Sequence, residues 1–252
     1  MNNHHRKSKD VSMRCALAQR IAREAGERAR SFLADPEKLG WTEKASSQDI
    51  VSAADEATEA YLRQMIREHF PHDGIVGEEA GSATGSSGYD WVIDPTMAFL
   101  VGQPNWTVSV AVLHDDEPII GVVEAPMLNE TYVGCLGEGA TWNGRRLVIH
   151  QDWTIRSTTV GFGGTERADP LEVGAFVTRL YQEGGVIFRV GSGALMLAYV
   201  AANRLAGYYD PTLFCWDCMA GVVLIREAGG YVEFAGNLSQ PGPIWAGNAQ
   251  VF

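Results

Sequence analysis

The sequence predicts an α/β (α+β) protein in which helices stack on a largely antiparallel sheet before the chain turns to helix–strand alternation. Three observations predict it. An amphipathic helical period opens the chain, a run of period-2 strands with short turns begins near Trp106, and helical and strand patterns alternate after Gln151.

Taken in order, residues 11–33 form a helix with Leu17, Ile21, Ala25, Ala29 and Phe32 on one face and Arg14, Arg20, Glu24 and Arg28 on the other, closed by Asp35-Pro36. Residues 1–10 have charge but no apolar core, so they read as a disordered leader, with His4 and His5 part of it. A polar loop with Lys44, Ala45, Ser46 and Ser47 leads to a second helix over 56–70, where Leu62, Met65, Ile66 and Phe70 face inward and Pro71 stops it. Two short apolar runs, 74–76 and 91–93, end at acids, with a flexible Gly/Ser loop over 82–88 between them. Val108, Val110 and Val112 alternate, 119–123 and 132–136 read as further strands, and Trp142-Asn143-Gly144 is a hairpin turn. Strands over 157–162, 185–190, 205–209 and 231–234 then alternate with helices over 171–183, 194–203 and 217–227. Two units follow: 1–150, helices plus the antiparallel sheet, and 151–252, an α/β layer that completes the site.

Composition narrows the function. In 252 residues, 46% hydrophobic and 20% charged is ordinary for a globular chain, and no run reaches the ~18 apolar residues of a membrane helix. A formal net charge of −11 argues against tracking a nucleic-acid backbone and suits carboxylates gathered for a divalent cation. Four scattered cysteines make no disulfide framework; Cys215 and Cys218 read as small buried residues at a helix start, and the compartment expected is the cytoplasm.

The chemistry-bearing residues are Glu78, Asp94 and Asp217. Each stands at a strand end or helix start, where side chains from distant sequence converge. Any one alone is more often a solvated acid or a cap. Asp55, at the start of the second helix, is an N-cap or a group that orients water. Gly191-Ser192-Gly193 is no dinucleotide fingerprint, since Met196 occupies the third glycine's place.

Gly77-Glu78-Glu79, Trp91-Val92-Ile93-Asp94-Pro95, Cys215-Trp216-Asp217 with Ala220-Gly221, and Glu227-Ala228-Gly229-Gly230 together resemble the signatures of the inositol monophosphatase family. Lys44, Asp49, Pro104, the 139–144 turn and Gly191-Ser192-Gly193-Ala194 extend the resemblance, in order, almost to Phe252. It implies a layered α-β-α-β-α sandwich of the inositol monophosphatase and fructose-1,6-bisphosphatase type, Mg2+ as cofactor, lithium sensitivity and a homodimer. It implies Glu78, Asp94 and Asp217 as metal ligands, and Asp55, Thr96 and Glu79 as catalytic acids and water-positioning groups. Gly191, Ser192, Gly193, Ala194 and Asp210 would bind substrate.

One segment departs from the family pattern W-x-[IL]-D-P-[IL]-D-G-T. Asp94-Pro95 runs straight into Thr96, and aligning Thr96 with the motif's threonine brings Phe99, Gly102 and Pro104 into register. A hydrophobic-Asp-Gly tripeptide is therefore missing, and with it a metal-bridging aspartate. A deletion with lost activity, a divergent site and an incomplete sequence are the alternatives. The function expected is magnesium-dependent hydrolysis of a small phosphorylated polyol, sugar or similar metabolite, with no nucleic-acid or membrane partner. The other reading is a non-catalytic pseudophosphatase that binds a phosphorylated ligand or a protein.

Overall fold

The computed structural model describes residues 2–33, 41–43, 50–96 and 103–251, with side chains over 9–32, 54–95 and 103–251. The first half runs α1 (Asn2–Leu33), β1 (Trp41–Glu43), β2 (Ile50–Ser52), α2 (Ala53–His69), β3 (Gly74–Gly77), β4 (Gly81–Ala83), β5 (Tyr89–Thr96), β6 (Thr107–His114), β7 (Glu117–Ala125), β8 (Glu130–Cys135), β9 (Gly139–Trp142) and β10 (Arg145–Arg146). The second runs β11 (Val160–Phe162), α3 (Pro170–Gln182), β12 (Ile187–Phe188), α4 (Gly193–Ala201), β13 (Gly207–Leu213), α5 (Cys215–Glu227), β14 (Tyr231–Phe234) and β15 (Gly242–Gly247).

Eight strands form one sheet in the order β10-β9-β8-β7-β6-β5-β3-β4, antiparallel except where β3 lies beside β5. Because successive side chains of a strand point to opposite faces, this sheet feeds two cores. Trp91, Ile93, Val108, Val110, Val112, Ile120 and Val122 pack with the apolar faces of α1 and α2. Val76, Val92, Ala111, Leu113 and Val123 pack with α4 and α5. Glycine brings α5 close: a Cβ on Gly121 would stand 2.2 Å from the Ala220 carbonyl oxygen. At the β9–β10 turn, Asn143 and Gly144 take φ of 48° and 77°, the left-handed pair that a tight hairpin demands.

The second sheet has the order β12-β11-β13-β15-β14, parallel across β12, β11 and β13 and antiparallel beyond. Gly161 turns its Cα toward Met196 of α4. Phe162 and Tyr209 face the other way and take Phe176 of α3 at 5.2 and 4.6 Å between ring centroids. The layers are thus α1/α2, large sheet, α4/α5, small sheet, α3: the α-β-α-β-α sandwich. β1 and β2 pair only with each other, the strands from Gly74 to Arg146 belong to the large sheet and those from Val160 to the second, while α4 and α5 serve both.

Proline shapes the second sheet at one point. The β13–β15 register shifts between Asp210↔Ile244 and Leu213↔Gly242, so Pro211 and Thr212 oppose the single residue Pro243. Neither proline can donate to the ladder, and the bulge falls where both donors are lacking.

Several expectations are corrected. The first helix begins at Asn2, not at residue 11, so residues 2–10 are helical and not a disordered leader; once nucleated, a helix propagates cheaply through polar residues. The 82–88 stretch is not a loose loop. Its start forms β4, and Ser87 Oγ donates to Asp73 Oδ1 at 2.6 Å, the same carboxylate that accepts from Arg14 and Trp91. β15 was not expected, and the strand placed at 185–190 shrinks to Ile187–Phe188. The Asp35-Pro36 stop, the loop with Lys44 to Ser47, Asp49, and Phe99 and Gly102 lie outside the described residues.

Candidate active site

Strand register puts Glu78 and Asp94 toward the same end of neighbouring strands of the large sheet, and the first turn of α5 carries Asp217 within reach of the Glu78 charge. Asp94 shares a face with Val92, which packs toward α5, and it pairs in register with Ser109 of β6. Ser109 Oγ donates to the Trp216 carbonyl oxygen at 3.1 Å, and Trp216 immediately precedes Asp217. On the other side of β5, Gly77 pairs with Ile93, so Glu78 leaves the sheet beside Asp94. Asp94 is only 2% exposed, Glu78 is exposed, and Asp217 is partly buried in the first turn of α5. Phe214, the N-cap of α5, makes no side-chain cap bond; its backbone N–H instead donates to the Asp217 carboxylate, half of a capping box.

The turn that carries Glu78 and Glu79 is held by a residue the sequence did not single out. Glu59 of α2, 1% exposed, accepts from the backbone N–H groups of Glu79 and Ala80 at 2.8 and 2.9 Å. Its Oε1 also accepts from Arg63 Nε at 2.7 Å, and Arg63 Nη2 donates to the Gly81 carbonyl. Gly77 is required here, since a Cβ would stand 2.8 Å from Glu59 Oε1 and 2.9 Å from Arg63 Nη2. Asp55 lies one helical turn before Glu59, in the first turn of α2, buried at 5% exposure. Thr96 closes β5 opposite Thr107; its side chain is outside the described set. Thr107 Oγ1 lies 3.1 Å from Ser192 Oγ, which joins that strand end to the start of α4.

Next to Asp217 opens a cavity of about 110 Å³. Gly191, Ser192, Gly193 and Asp210 line it, with Arg167, Arg189, Thr212 and Phe214. Ala194 does not; it is 1% exposed and packs into the core. Ser192 caps α4 by accepting from Leu195 N at 3.3 Å. Asp210 accepts from Gly164 N at 3.0 Å, Tyr208 Oη at 2.9 Å and Thr212 N at 2.9 Å, so most of its acceptor capacity is already used in tying the bulge to the 163–164 loop and to Tyr208. Thr212 Oγ1 is buried with no hydrogen-bond partner among the described residues, a group that a ligand hydroxyl or oxyanion would satisfy. Arg189 donates to the Gly164 carbonyl at 2.6 Å, and the Arg167 guanidinium lies 5.3 Å from the Phe214 ring, itself stacked on Trp216.

Electrostatics mark Asp217. Burial, then the charges of Glu78 and Asp210, push its carboxyl up to about 8, against a smaller opposing pull from Arg167. Burial likewise raises Asp210 despite its three donors. Crowded acids of this kind are relieved by a cation. The donors are all carboxylate oxygens, which fits magnesium, an ion that takes one or two protein carboxylates and completes its shell with water and substrate oxygens. Among the described residues no three His, Cys, Asp or Glu side chains enclose an ion on their own.

Glu59, Arg63, Arg167, Arg189 and Thr212 were not expected at the site. Glu59 and Arg63 stand four apart in a helix, where such a pair ordinarily reads as surface charge, and Thr212 is revealed only by the bulge.

A model of the inositol monophosphatase family matches residues 10–243. Nus factor SuhB of Escherichia coli (strain K12) is 37% identical over 246 residues, covering 93% of this chain and 91% of that protein. Among solved structures, the extragenic suppressor protein suhB from Bartonella henselae superposes with a TM-score of 0.83 at 27% identity, covering 97% of this chain and 95% of the other. Inositol monophosphatase from Anabaena (Nostoc) sp. PCC 7120 gives 0.77 at 30% identity, covering 96% and 92%.

Proposed function

The chain belongs to the inositol monophosphatase family, and on that premise we propose that it is a magnesium-dependent phosphomonoesterase acting on a small phosphorylated polyol, sugar or similar metabolite. The reading is supported by the β3–β5 register that sets Glu78 beside the strand of Asp94, by the Glu78 charge acting on Asp217, and by a cavity at Asp217 with two arginines and an unsatisfied hydroxyl. Glu78, Asp94 and Asp217 would hold Mg2+, which supplies charge neutralisation at the phosphoryl oxygens and lowers the pKa of water. Asp55 and Thr96 would position the water that adds to phosphorus, with Glu79 behind them. The P–O ester bond then breaks and the alcohol leaves with a proton. Gly191 to Gly193 would present backbone N–H groups at the start of α4 to the substrate. Asp210 and Thr212 would meet its hydroxyls, and Ala194 would support that loop from the core. A homodimer, lithium sensitivity, a cytoplasmic location and the 1–150/151–252 division belong to the same proposal. No described helix is long and apolar enough to cross a membrane.

A specific observation favours a second reading, a pseudophosphatase that binds a phosphorylated ligand or a protein partner. The hydrophobic-Asp-Gly tripeptide is absent, and β5 pairs with β6 without a bulge from Asp94 through Pro95 to Thr96. Phosphate release from a panel of phosphomonoesters, with and without magnesium, separates the two. A parallel variant would have Ile-Asp-Gly inserted between Pro95 and Thr96. Magnesium-dependent turnover by the native chain supports the phosphatase and names its substrate. Turnover by the insertion variant alone means a phosphatase scaffold disabled by three residues. Inactivity of both removes the phosphatase reading.

A further inference from the structure

A second concavity lies at the opposite end of β5 and β6 from Asp94. Its floor is apolar: Leu113, Pro118, Met219, Val222, Phe234 and Leu238 line a groove of about 520 Å³ between the β6–β7 turn, α5 and the β14–β15 turn. Leu113 stands four residues along β6 from Ser109, about 13 Å away, and none of the candidate active-site acids lines this groove.

Its rim is acidic. The β6–β7 turn reads His114-Asp115-Asp116-Glu117, with Asp115 and Asp116 at φ of 53° and 66°. Arg226, across the groove, reaches Glu117 at 3.4 Å, but both side chains are largely exposed and such a pair is weak. His114 Nδ1 stands 3.3 Å from Asp115. Asp116 has no cationic partner among the described residues, and its charge adds to the burial that raises Asp90, the β5 residue paired with Leu113. An apolar floor beneath an acid-rich rim is complementary to one kind of ligand. We propose that this groove binds a small ligand with an apolar body and a protonated amine, the body on Met219 and Val222 and the amine at Asp116 and Glu117.

The test uses two probes with one apolar body and opposite charge, 4-phenylbutylamine and 4-phenylbutyrate, titrated into the full chain and followed by calorimetry and by methionine methyl NMR. The amine is expected to bind measurably tighter than the acid and to shift the Met219 methyl, assigned from Met219→Leu, while Met13 and Met127 stay in place. Asp116→Asn with Glu117→Gln should weaken the amine about five-fold and leave the acid unaffected. Asparagine tolerates positive φ, so the turn is kept. Equal binding of the two probes, no binding of the amine, or shifts at Met13 or Met127 with Met219 still would overturn the proposal. None of these outcomes depends on phosphatase activity.

Discussion

Glu59→Gln tests how the turn bearing Glu78 is held. The substitution keeps shape and removes charge. Glutamine has one oxygen where Glu59 uses two, so one of the N–H groups of Glu79 and Ala80 loses its acceptor and meets an amide NH2. Arg63, whose side chain is 7% exposed, is left with its charge buried beside Gly77. Removing one partner of a buried ion pair costs about 3–5 kcal/mol, and an unsatisfied buried donor about 1–3 kcal/mol. The two overlap, so the expected loss is about 3–5 kcal/mol, a drop in Tm of roughly 6–20 °C for a chain of this size. Thermal and urea unfolding measure it. A double-mutant cycle with Arg63→Met should return a coupling energy above about 1 kcal/mol, because the double variant no longer strands a charge. A loss below about 1 kcal/mol, with additive single substitutions, would refute the claim that Glu59 organises this turn.

Other expectations follow from the same geometry. Glu124 is raised chiefly by burial, offset in part by the Thr131 hydroxyl and Arg23, so the folded chain keeps this proton to higher pH than the unfolded chain. Its favourable contribution is present below the unfolded value near 4.5 and is lost as pH climbs through the folded one; Glu124→Gln should therefore gain stability relative to the parent between pH 4 and 7, in paired urea titrations. Gly121→Ala would press a methyl onto the Ala220 carbonyl and should cost about 1–3 kcal/mol or more in thermal unfolding; a neutral result would mean α5 shifts freely. Cys215, pushed up to about 12, and Cys218, raised well above the ordinary thiol value by burial, should stay unreactive to a thiol reagent at pH 8 until the chain is unfolded.

Much of this was legible in the sequence because the relevant signals are local. A β-run ending in an acid placed Glu78 just past β3, and helical periodicity placed Asp217 in the first turn of α5; Asp94 does not end its strand, because β5 stays paired with β6 through Pro95 to Thr96. What stayed hidden depends on partners far apart in the chain. β15 contains Gly242, Pro243 and Gly247 and reads as a loop; it is a strand because its proline falls opposite the bulge at Pro211 and Thr212. Glu59 looks like a surface acid until β3 ends against it. Asp210, expected to meet substrate, is also the acceptor that fixes the 163–164 loop, a role only the hydrogen bonds disclose.

The sharing of α5 between the two sheets has a consequence for how the protein is made. Glu78 and Asp94 leave the ribosome long before residue 193, and until α4 and α5 arrive the face of the large sheet with Val92, Ala111 and Val123 has no cover. An emerging chain that has extruded only its first 150 residues therefore displays an open apolar sheet surface and two of the three candidate metal acids. The same chain, once its last fifth is translated, closes the sheet and assembles the acids in a single docking event. Nascent chains stalled before and after residue 227 should differ sharply in chaperone capture and protease resistance.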